Sequence, residues 1–114
     1  MLYISSGNLK EGRFKEYQAW VKKNADDVRK HAPPGWKYKG TYATVIGFGK
    51  YDVTDIWEIK KYGDFDTSRE HRDPVFLRLL AESQDFFQPS QGVTFLIREI
   101  GDTVSIEPKK PKKK

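Results

Sequence analysis

Few side chains in this sequence have the chemistry of a catalytic group, and they do not form a recognisable set. His71 is one candidate, because histidine titrates near neutral pH and can act as a general acid or base. No second catalytic group accompanies it, so a partly exposed histidine in the turn before Asp73 and Pro74 is the favoured interpretation. His31, predicted at the C-terminal end of a helix, is expected to interact with the helix dipole alone.

The acidic side chains of one predicted strand also do not form a catalytic pair. Asp55 and Glu58 are separated by three positions, so a strand directs them to opposite faces. Glu58 either lines a cavity or, as is more common, forms a salt bridge at the rim, with Arg98 as its candidate partner. The chain has no cysteine and only two histidines, which are far apart in sequence. We therefore expect no disulfide, no thiolate nucleophile, no metal site and no cofactor.

Aromatic residues make up 14% of the 114 residues and fall mostly in predicted strands and helices. Side chains of this kind can line a pocket for a flat apolar ligand, and they also build cores and dimer interfaces, which is the expected role for most of them. The candidates for a ligand pocket are Tyr3, Tyr38, Tyr42, Trp57, Glu58, Phe76 and Phe95.

A long β-hairpin over residues 36–60 must position most of these side chains. In its first arm the even positions include Trp36, Tyr38, Tyr42 and Phe48, so one face is predicted to be broad and aromatic. A glycine-rich turn is predicted over residues 47–52, and the second arm covers residues 53–60.

The hairpin is flanked by elements that alternate between strand and helix. Apolar residues at spacings of three and four predict the helices, and alternation predicts the strands. Asp73 and Pro74 are typical of an N-cap and a first helical position. In chain order we predict a strand at 2–8, a helix at 11–31, a short helix at 65–72 capped by Asp66 or Thr67, a helix at 74–87, a strand at 93–100 and a short fifth strand at 104–106.

The order of the main elements is β-α-β-β-α-β, which predicts an α+β, ferredoxin-like antiparallel sheet with two helices on one face. Both faces of the strands carry apolar residues, but two helices can cover only one face. A second copy of the sheet is the simplest cover for the other face. The sequence therefore predicts a homodimer that associates through the sheet face.

Charge is distributed unevenly along the chain. Five of the 21 basic residues are lysines in the last seven positions, which leaves 16 basic and 16 acidic residues elsewhere. We expect one domain over residues 1–107 and a disordered basic tail over residues 108–114. Binding to nucleic acid is not favoured, because the domain itself is neutral. No membrane-spanning run and no signal peptide are recognisable, so a cytoplasmic location and no membrane partner are expected.

Three segments resemble a known superfamily. They are residues 10–14 (Lys-Glu-Gly-Arg-Phe) with Tyr17 and Trp20, residues 55–58 (Asp-Ile-Trp-Glu), and residues 71–76 (His-Arg-Asp-Pro-Val-Phe). In order and spacing the chain is similar to the dimeric α+β barrel superfamily, most of all to its NIPSNAP and antibiotic-biosynthesis-monooxygenase-like groups. The resemblance implies a homodimeric barrel with a cleft between sheet and helices.

A haem-degrading branch of that superfamily uses an asparagine on the first strand, a tryptophan on the third strand and a histidine on the second helix. Trp57 matches the tryptophan, and the resemblance makes it a candidate catalytic residue beside His71. Ser5 and Leu80 fall at the other two positions. Asn8 and His71 are present but offset. Haem degradation is therefore disfavoured.

These observations favour a small homodimeric α+β barrel protein whose cleft is a candidate site for a small apolar or aromatic metabolite. The first alternative, implied by the resemblance, is a cofactor-independent monooxygenase that acts on an aromatic or quinone-like substrate. The second alternative is a protein that associates with nucleic acid through its lysine-rich tail. Whether the protein is an enzyme stays open at this point.

Overall fold

In the described part of the chain, four antiparallel strands form one sheet in the order β2-β3-β1-β4, and three helices accompany it. The structure is a computed structural model that describes residues 1–45 and 51–101. In chain order the elements are β1 (Leu2–Gly7), α1 (Phe14–His31), β2 (Lys37–Ala43), β3 (Val53–Glu58), α2 (Asp64–Glu70), α3 (Pro74–Gln84) and β4 (Val93–Ile97). The predicted α+β ferredoxin-like fold is confirmed.

The first strand lies in the middle of the sheet and sets its register. Tyr3 of β1 is opposite Trp57 of β3 on one side and Leu96 of β4 on the other. Because successive residues of a strand face opposite ways, Tyr3 and Trp57 share the face that packs against the helices. Ile4 is opposite Ile56 and Phe95, and these residues share the other face.

The second strand departs from the alternation that its sequence suggests. The register with β3 shifts between Tyr38 and Gly40, and Gly40 has a φ of 139°. This irregularity leaves Tyr38 opposite Trp57 on the helix-covered face and places Tyr42 opposite Thr54 on the other face. The prediction of one continuous aromatic face along the first hairpin arm is therefore wrong.

The third helix begins where the sequence predicts, and the second does not. The Asp73 carboxylate accepts hydrogen bonds from the backbone N–H groups of Val75 and Phe76, at 2.8 and 3.1 Å, and so caps α3. The short helix α2 begins at Asp64, and its N-cap is Gly63, so the prediction of Asp66 or Thr67 as cap is wrong.

Asp64 stabilises a turn and does not cap a helix. Its buried carboxylate accepts hydrogen bonds from the backbone N–H groups of Lys60 and Lys61, at 3.0 and 3.1 Å, and closes the turn between β3 and α2. The Asp64 carbonyl oxygen accepts a hydrogen bond of 2.6 Å from the Trp36 indole, which ties α2 to the start of the hairpin.

The hydrophobic core lies between the sheet and the helices. Leu9, Tyr17, Val53 and Phe86 form one buried cluster, with Trp20, Val21 and Phe87 packed against it. Helix α3 ends at Gln84 rather than at Phe87. Phe86 and Phe87 follow the helix and turn back toward β1, where the peptide of Lys10 donates a hydrogen bond of 2.8 Å to the Phe86 carbonyl.

The opposite face of the sheet is not covered by any element of the described residues. Phe95 and Ile97 of β4 are 52% and 45% exposed, beside the partly buried Ile4 and Ile56. We call this surface, formed by Leu2, Ile4, Ile56, Phe95 and Ile97, the outer face.

Some predicted elements fall outside the described residues. They are residue 46 of the predicted first hairpin arm, residues 47–50 of the predicted turn, the fifth strand at 104–106 and the tail at 108–114. Within residues 1–45 and 51–101, none of the helices has the length and apolar character needed to cross a membrane.

Candidate ligand-binding cleft

A cleft of about 570 Å³ lies between the helix-covered face of the sheet and α3. Tyr3 and Ser5 of β1 and Asp55 and Trp57 of β3 form its floor. Its volume falls within the range that is usual for small-molecule sites. The remaining lining residues come mainly from α3 and the segment after it, and they include Leu80, Ser83, Gln84, Phe87, Gln88 and Gly92.

The local sequence explains why these side chains meet. Residues at alternate positions of β1 and β3 point to one face, and the register sets Tyr3 beside Trp57 and Ser5 beside Asp55. On α3, Leu80, Ser83 and Gln84 follow at spacings of three and four, so they lie on one side of the helix. At Gly7 a Cβ atom would lie 3.1 Å from the Phe87 ring, so a larger residue there would disturb this wall.

Trp57 is held in place by other rings. Its ring centroid lies 5.1 Å from that of Tyr38, 5.9 Å from that of Trp36 and 6.2 Å from that of Phe76. Tyr3 in turn packs edge-on against Trp36 at 5.1 Å. Contacts of this geometry favour fixed ring orientations, so the aromatic side of the cleft is largely formed before any ligand arrives.

A smaller cavity of about 70 Å³ adjoins the cleft and reaches toward α1. Asp55, Trp57, Leu80 and Ser83 line both spaces. The smaller cavity is also lined by Tyr17, Trp20, Val28, Tyr38, Thr41, Phe76 and Leu79. The two spaces therefore form one site with Asp55 at their junction.

Asp55 is the most unusual group in this site. The Thr41 hydroxyl donates a hydrogen bond of 2.6 Å to its Oδ1 atom, and the Tyr38 hydroxyl is hydrogen-bonded to Thr41. Burial raises the pKa of the Asp55 carboxyl, and the hydrogen bond from Thr41 opposes that rise. Among the described residues Asp55 takes part in no ion pair.

Two tyrosines surround this carboxyl group as neutral hydrogen-bonding groups. Burial raises the pKa of the Tyr17 phenol, and the charge of Asp55 raises it further. Burial likewise raises the pKa of Tyr38, against the hydrogen bond to Thr41. The Arg29 guanidinium lies 5.2 Å from the centroid of the Tyr38 ring and pairs with Asp26 at 3.3 Å. Both phenols therefore stay protonated at neutral pH.

Asp55 was not a predicted site residue, although a signal for it exists. It alternates with Val53 and Trp57 along β3, so any face that buries Trp57 must also receive the Asp55 carboxyl. The three-residue spacing between Asp55 and Glu58 indicates only that their carboxylates do not form a pair. The structure does place the two carboxylates on opposite faces, as their spacing predicts.

The seven predicted pocket residues divide between the two faces. Tyr3 and Trp57 line the cleft, and Tyr38 and Phe76 line the smaller cavity. Tyr42, Glu58 and Phe95 lie on the side of the sheet away from the helices, opposite Thr54, Leu2 and Ile4 respectively. One cavity cannot be lined by all seven, because the bulge in β2 and the alternation of β3 and β4 separate the last three.

The ion pair of Glu58 differs from the prediction. Its carboxylate lies 3.6 Å from the Lys39 ammonium group. Arg98, the predicted partner, instead donates a hydrogen bond of 3.0 Å to the Tyr62 hydroxyl.

His71 lies outside both cavities. Its Nε2 atom donates a hydrogen bond of 2.7 Å to the His31 carbonyl oxygen, and its ring packs against Phe76 at 5.5 Å. The His31 Nδ1 atom lies 2.9 Å from Asp73 Oδ2. The two histidines therefore join the end of α1 to the start of α3, and the prediction that His31 has no role beyond the helix dipole is wrong.

The positions compared with the haem-degrading branch do meet in space. Ser5, Trp57 and Leu80 all line the cleft. No histidine is present among the described residues that line either cavity, and the Asn8 side chain accepts a hydrogen bond of 3.0 Å from the Asp52 backbone N–H instead. The residues at this site therefore do not fit a haem group. In the part of the chain that the structure describes, no cluster of three or more histidine, cysteine or acidic side chains could hold a metal ion.

A second concave surface, of about 720 Å³, lies between the β1–α1 connection and the end of β2. Its polar groups include the exposed side chains of Lys10, Glu11 and Asp52. Its wall ends next to residues 46–50, which lie outside the described residues. The cleft beside α3 is better suited to a ligand, because it combines packed rings with the partly buried Asp55 carboxyl group.

Comparisons with known proteins agree with the fold. No protein-family model matches the sequence, and a search of curated proteins gives no match. An uncharacterised NIPSNAP domain protein from Burkholderia xenovorans shares 12% identity at a TM-score of 0.66, over 89% of this chain and 96% of that one. A NIPSNAP family protein from Agrobacterium tumefaciens shares 14% identity at a TM-score of 0.62, over 87% and 93%.

A third solved structure is a dimeric ferredoxin-like protein of unknown function from Thermobifida fusca. It shares 17% identity with this chain at a TM-score of 0.61, over 84% of this chain and 89% of that one. The chain therefore has the fold of ferredoxin-like and NIPSNAP domain proteins, and the predicted resemblance is confirmed at the level of the fold.

Proposed function

We propose that this protein is a homodimer that binds a small, flat aromatic metabolite in the cleft between the sheet and α3. The observation that carries the proposal is the pairing of the Tyr3 and Trp57 rings with hydrogen-bonding groups of Ser5, Asp55 and Ser83 around one space. Apolar walls with a few convergent polar groups are typical of small-molecule sites.

The dimer is supported by the outer face. Phe95 and Ile97 are half-exposed on a sheet surface that the described helices do not cover. A contiguous apolar surface of this kind is expected to be buried by association. A second copy that presents the same face would cover it symmetrically. The solved structure from Thermobifida fusca is described as dimeric, which is consistent with this arrangement.

A titration with 1-naphthylmethanol tests the ligand site. Leu80 and Leu77 both lie on α3 with similar exposure, 41% and 44%, but only Leu80 is among the residues that line the cleft. We expect Leu80→Trp to fill the cleft and to weaken probe binding at least tenfold, and Leu77→Trp to bind as the wild type does. Isothermal titration calorimetry measures both. No binding to the wild type, or equal loss in both variants, would refute the site.

A cofactor-independent oxygenation of an aromatic or quinone-like substrate is the second candidate function. It is supported by Asp55, a partly buried carboxylate beside Trp57 that could accept an acidic proton from a substrate before the resulting carbanion reacts with dioxygen. Oxygen-electrode assays with dithranol as the substrate test it. Wild-type consumption of oxygen that Asp55→Asn abolishes would support an enzyme, and the absence of consumption would leave a binding protein.

We further propose that residues 1–107 form a single domain and that residues 108–114 are an appended basic tail without a role in the cleft. Five lysines in those last seven positions would still attract phosphate groups in a salt-dependent way. Electrophoretic mobility-shift assays that compare the full chain with a chain ending at Glu107 test the nucleic-acid alternative. Equal binding by both chains would exclude the tail as the binding element.

A further inference from the structure

The geometry points to an organic cation as the ligand: we infer that the cleft selects an aromatic molecule that carries a protonated amine, with Asp55 as the counter-charge. The inference rests on the proposed function, because it names the chemical class that the same cleft would take.

The charge around the two cavities is one-sided. Of the described residues that line the cleft or the smaller cavity, Asp55 is the only one with a charged side chain. Asp55 is partly buried. A carboxylate that loses part of its hydration without gaining a cation is destabilised, because the protein replaces only part of that hydration. A ligand that brings a positive charge to this position would supply the missing partner.

The hydrogen bonds of Asp55 leave room for that partner. Its Oδ1 atom accepts the hydrogen bond from Thr41, whose hydroxyl is in turn satisfied by Tyr38. This chain of hydroxyl groups orients one carboxylate oxygen and stabilises the ionised form. Burial nevertheless raises the pKa of the carboxyl, which indicates that its charge is not fully compensated in the unliganded protein.

The walls of the cleft suit the same ligand class. Tyr3, Trp57 and Phe87 present aromatic surface to the space that Asp55 borders. An ammonium group is attracted to the faces of such rings, and the attraction increases when water is excluded. Ser5, Ser83 and Gln84 add neutral hydrogen-bonding groups. A carboxylate ligand, in contrast, would meet Asp55 with the same sign of charge, and the described lining residues offer it no cation.

A series of three probes on one ring system isolates the charge. At neutral pH 1-naphthylmethylamine is a cation, 1-naphthylmethanol is neutral and 1-naphthylacetate is an anion. We expect the wild-type protein to bind the cation about tenfold or more tightly than the alcohol, and the anion most weakly. Calorimetric titrations of the full-length protein at low salt measure the three affinities.

Two carboxamide variants locate the effect. Asp55→Asn keeps the shape of the side chain and a hydrogen-bond acceptor for Thr41, and we expect it to bring the cation and the alcohol to within about twofold of each other. Glu58→Gln removes a carboxylate three positions along the same strand on the opposite face, and we expect it to keep the full preference.

The outcomes separate the two proposals. Equal affinity of the wild type for cation and alcohol, or a cation preference that persists in Asp55→Asn, would overturn the inference while the cleft stays a binding site. Failure of all three probes to bind the wild type would overturn the cleft itself, and the inference with it.

Discussion

On strand β3, Val53, Asp55 and Trp57 point toward the helices, whereas Thr54, Ile56 and Glu58 point away from them. The first set meets a buried aromatic core and a cleft. The second set belongs to an open surface, where the Ser6 and Thr54 hydroxyls bond to each other at 2.8 Å and Glu58 pairs with Lys39. One strand therefore supplies two environments that differ in burial, in polarity and in what they could bind.

The difference teaches that the side of the sheet, rather than the type of residue, decides which aromatic groups can contribute to a ligand site. Tyr38 and Tyr42 are on the same strand, but the bulge between Tyr38 and Gly40 places them on opposite faces. Tyr38 joins the hydrogen-bonded group around Asp55. Tyr42 lies half-exposed on the outer side. Changes to the two faces should therefore have separable effects.

The largest expected effect is on assembly. Ile97→Lys places a charge on the outer face, at the end of the edge strand β4. We expect the dimer to dissociate about a hundredfold or more readily, because an unpaired charge would have to be buried. Leu77→Lys introduces the same charge on α3 at nearly the same exposure and should leave the dimer intact. Light scattering after size-exclusion chromatography measures both. Equal dissociation of the dimer in the two variants would contradict the assignment of the dimer interface to the outer face.

The next largest effect is on the stability of the helix-covered side. Leu79 is 1% exposed on α3, and we expect Leu79→Ala to lower the free energy of unfolding by about 3 kcal/mol through lost burial and a cavity. Leu77→Ala in the same helix serves as the control and should change it by less than about 0.5 kcal/mol. Urea unfolding followed by circular dichroism gives both values. Similar losses would mean that α3 does not pack on the sheet through the Leu79 side.

A smaller effect is expected at the junction of α1 and α3. The hydrogen bond to His31, together with the backbone N–H groups of Phe76 and Val75, lowers the pKa of the Asp73 carboxyl. The stabilisation is therefore fully present above the unfolded pKa of the carboxyl and is lost as the pH falls through the lowered folded pKa. We expect Asp73→Ala to lower the melting temperature at neutral pH, and Asp73→Asn to lower it less because the amide can still cap the helix.

Thermal unfolding between pH 2 and pH 7 measures this junction. The difference in melting temperature between the wild type and Asp73→Ala should become smaller toward acid pH. A difference in melting temperature that stays constant with pH would show that the Asp73 charge does not contribute to stability.

The smallest effect on stability is expected at Asp55, and its dependence on pH is opposite to that at Asp73. Because burial raises its folded pKa, the native state holds the proton more tightly than the unfolded chain, and stability falls as the pH rises from the unfolded to the folded pKa. Tyr17 and Tyr38, which face it from α1 and β2, have raised pKa values and stay neutral in that window. The Arg29 guanidinium lies 5.2 Å from the centroid of the Tyr38 ring.

We therefore expect Asp55→Asn to be slightly more stable than the wild type at neutral pH and no more stable in acid. The same unfolding series measures it. An Asp55→Asn variant that loses stability at neutral pH would mean that the carboxylate is a structural group rather than an uncompensated one.

Much of the fold could be predicted from local pattern. Alternation in β1, β3 and β4 and the three-and-four spacing in α1 and α3 depend on near neighbours in sequence, and they gave the correct order of elements. The start of α3 at Asp73 and Pro74 also depends on a local rule. Tyr3 and Trp57, two of the seven pocket candidates, line the cleft, and alternation along β1 and β3 sets each of them on one face of its strand without reference to the rest of the chain.

The missed features depend on contacts between distant segments. The bulge in β2 follows from how Gly40 fits against β3, and it decides the side on which Tyr42 lies. The raised pKa of Asp55 arises only when α1 and α3 cover it and Thr41 contacts it from the adjacent strand β2. The pairing of His31 with Asp73 likewise needs the ends of two helices to meet. No spacing along the sequence reports these arrangements.

Native mass spectrometry of the freshly purified full-length protein tests the central claim most directly, because one spectrum reports both dimer formation through the outer face and ligand binding in the cleft. We predict a species with the mass of two chains that carries additional bound mass, and we predict that this additional mass is lost in Leu80→Trp and retained in Leu77→Trp. Detection of the protein as a monomer would contradict the role of the outer face as a dimer interface. A dimer whose bound mass is unchanged by Leu80→Trp would contradict the role of the cleft.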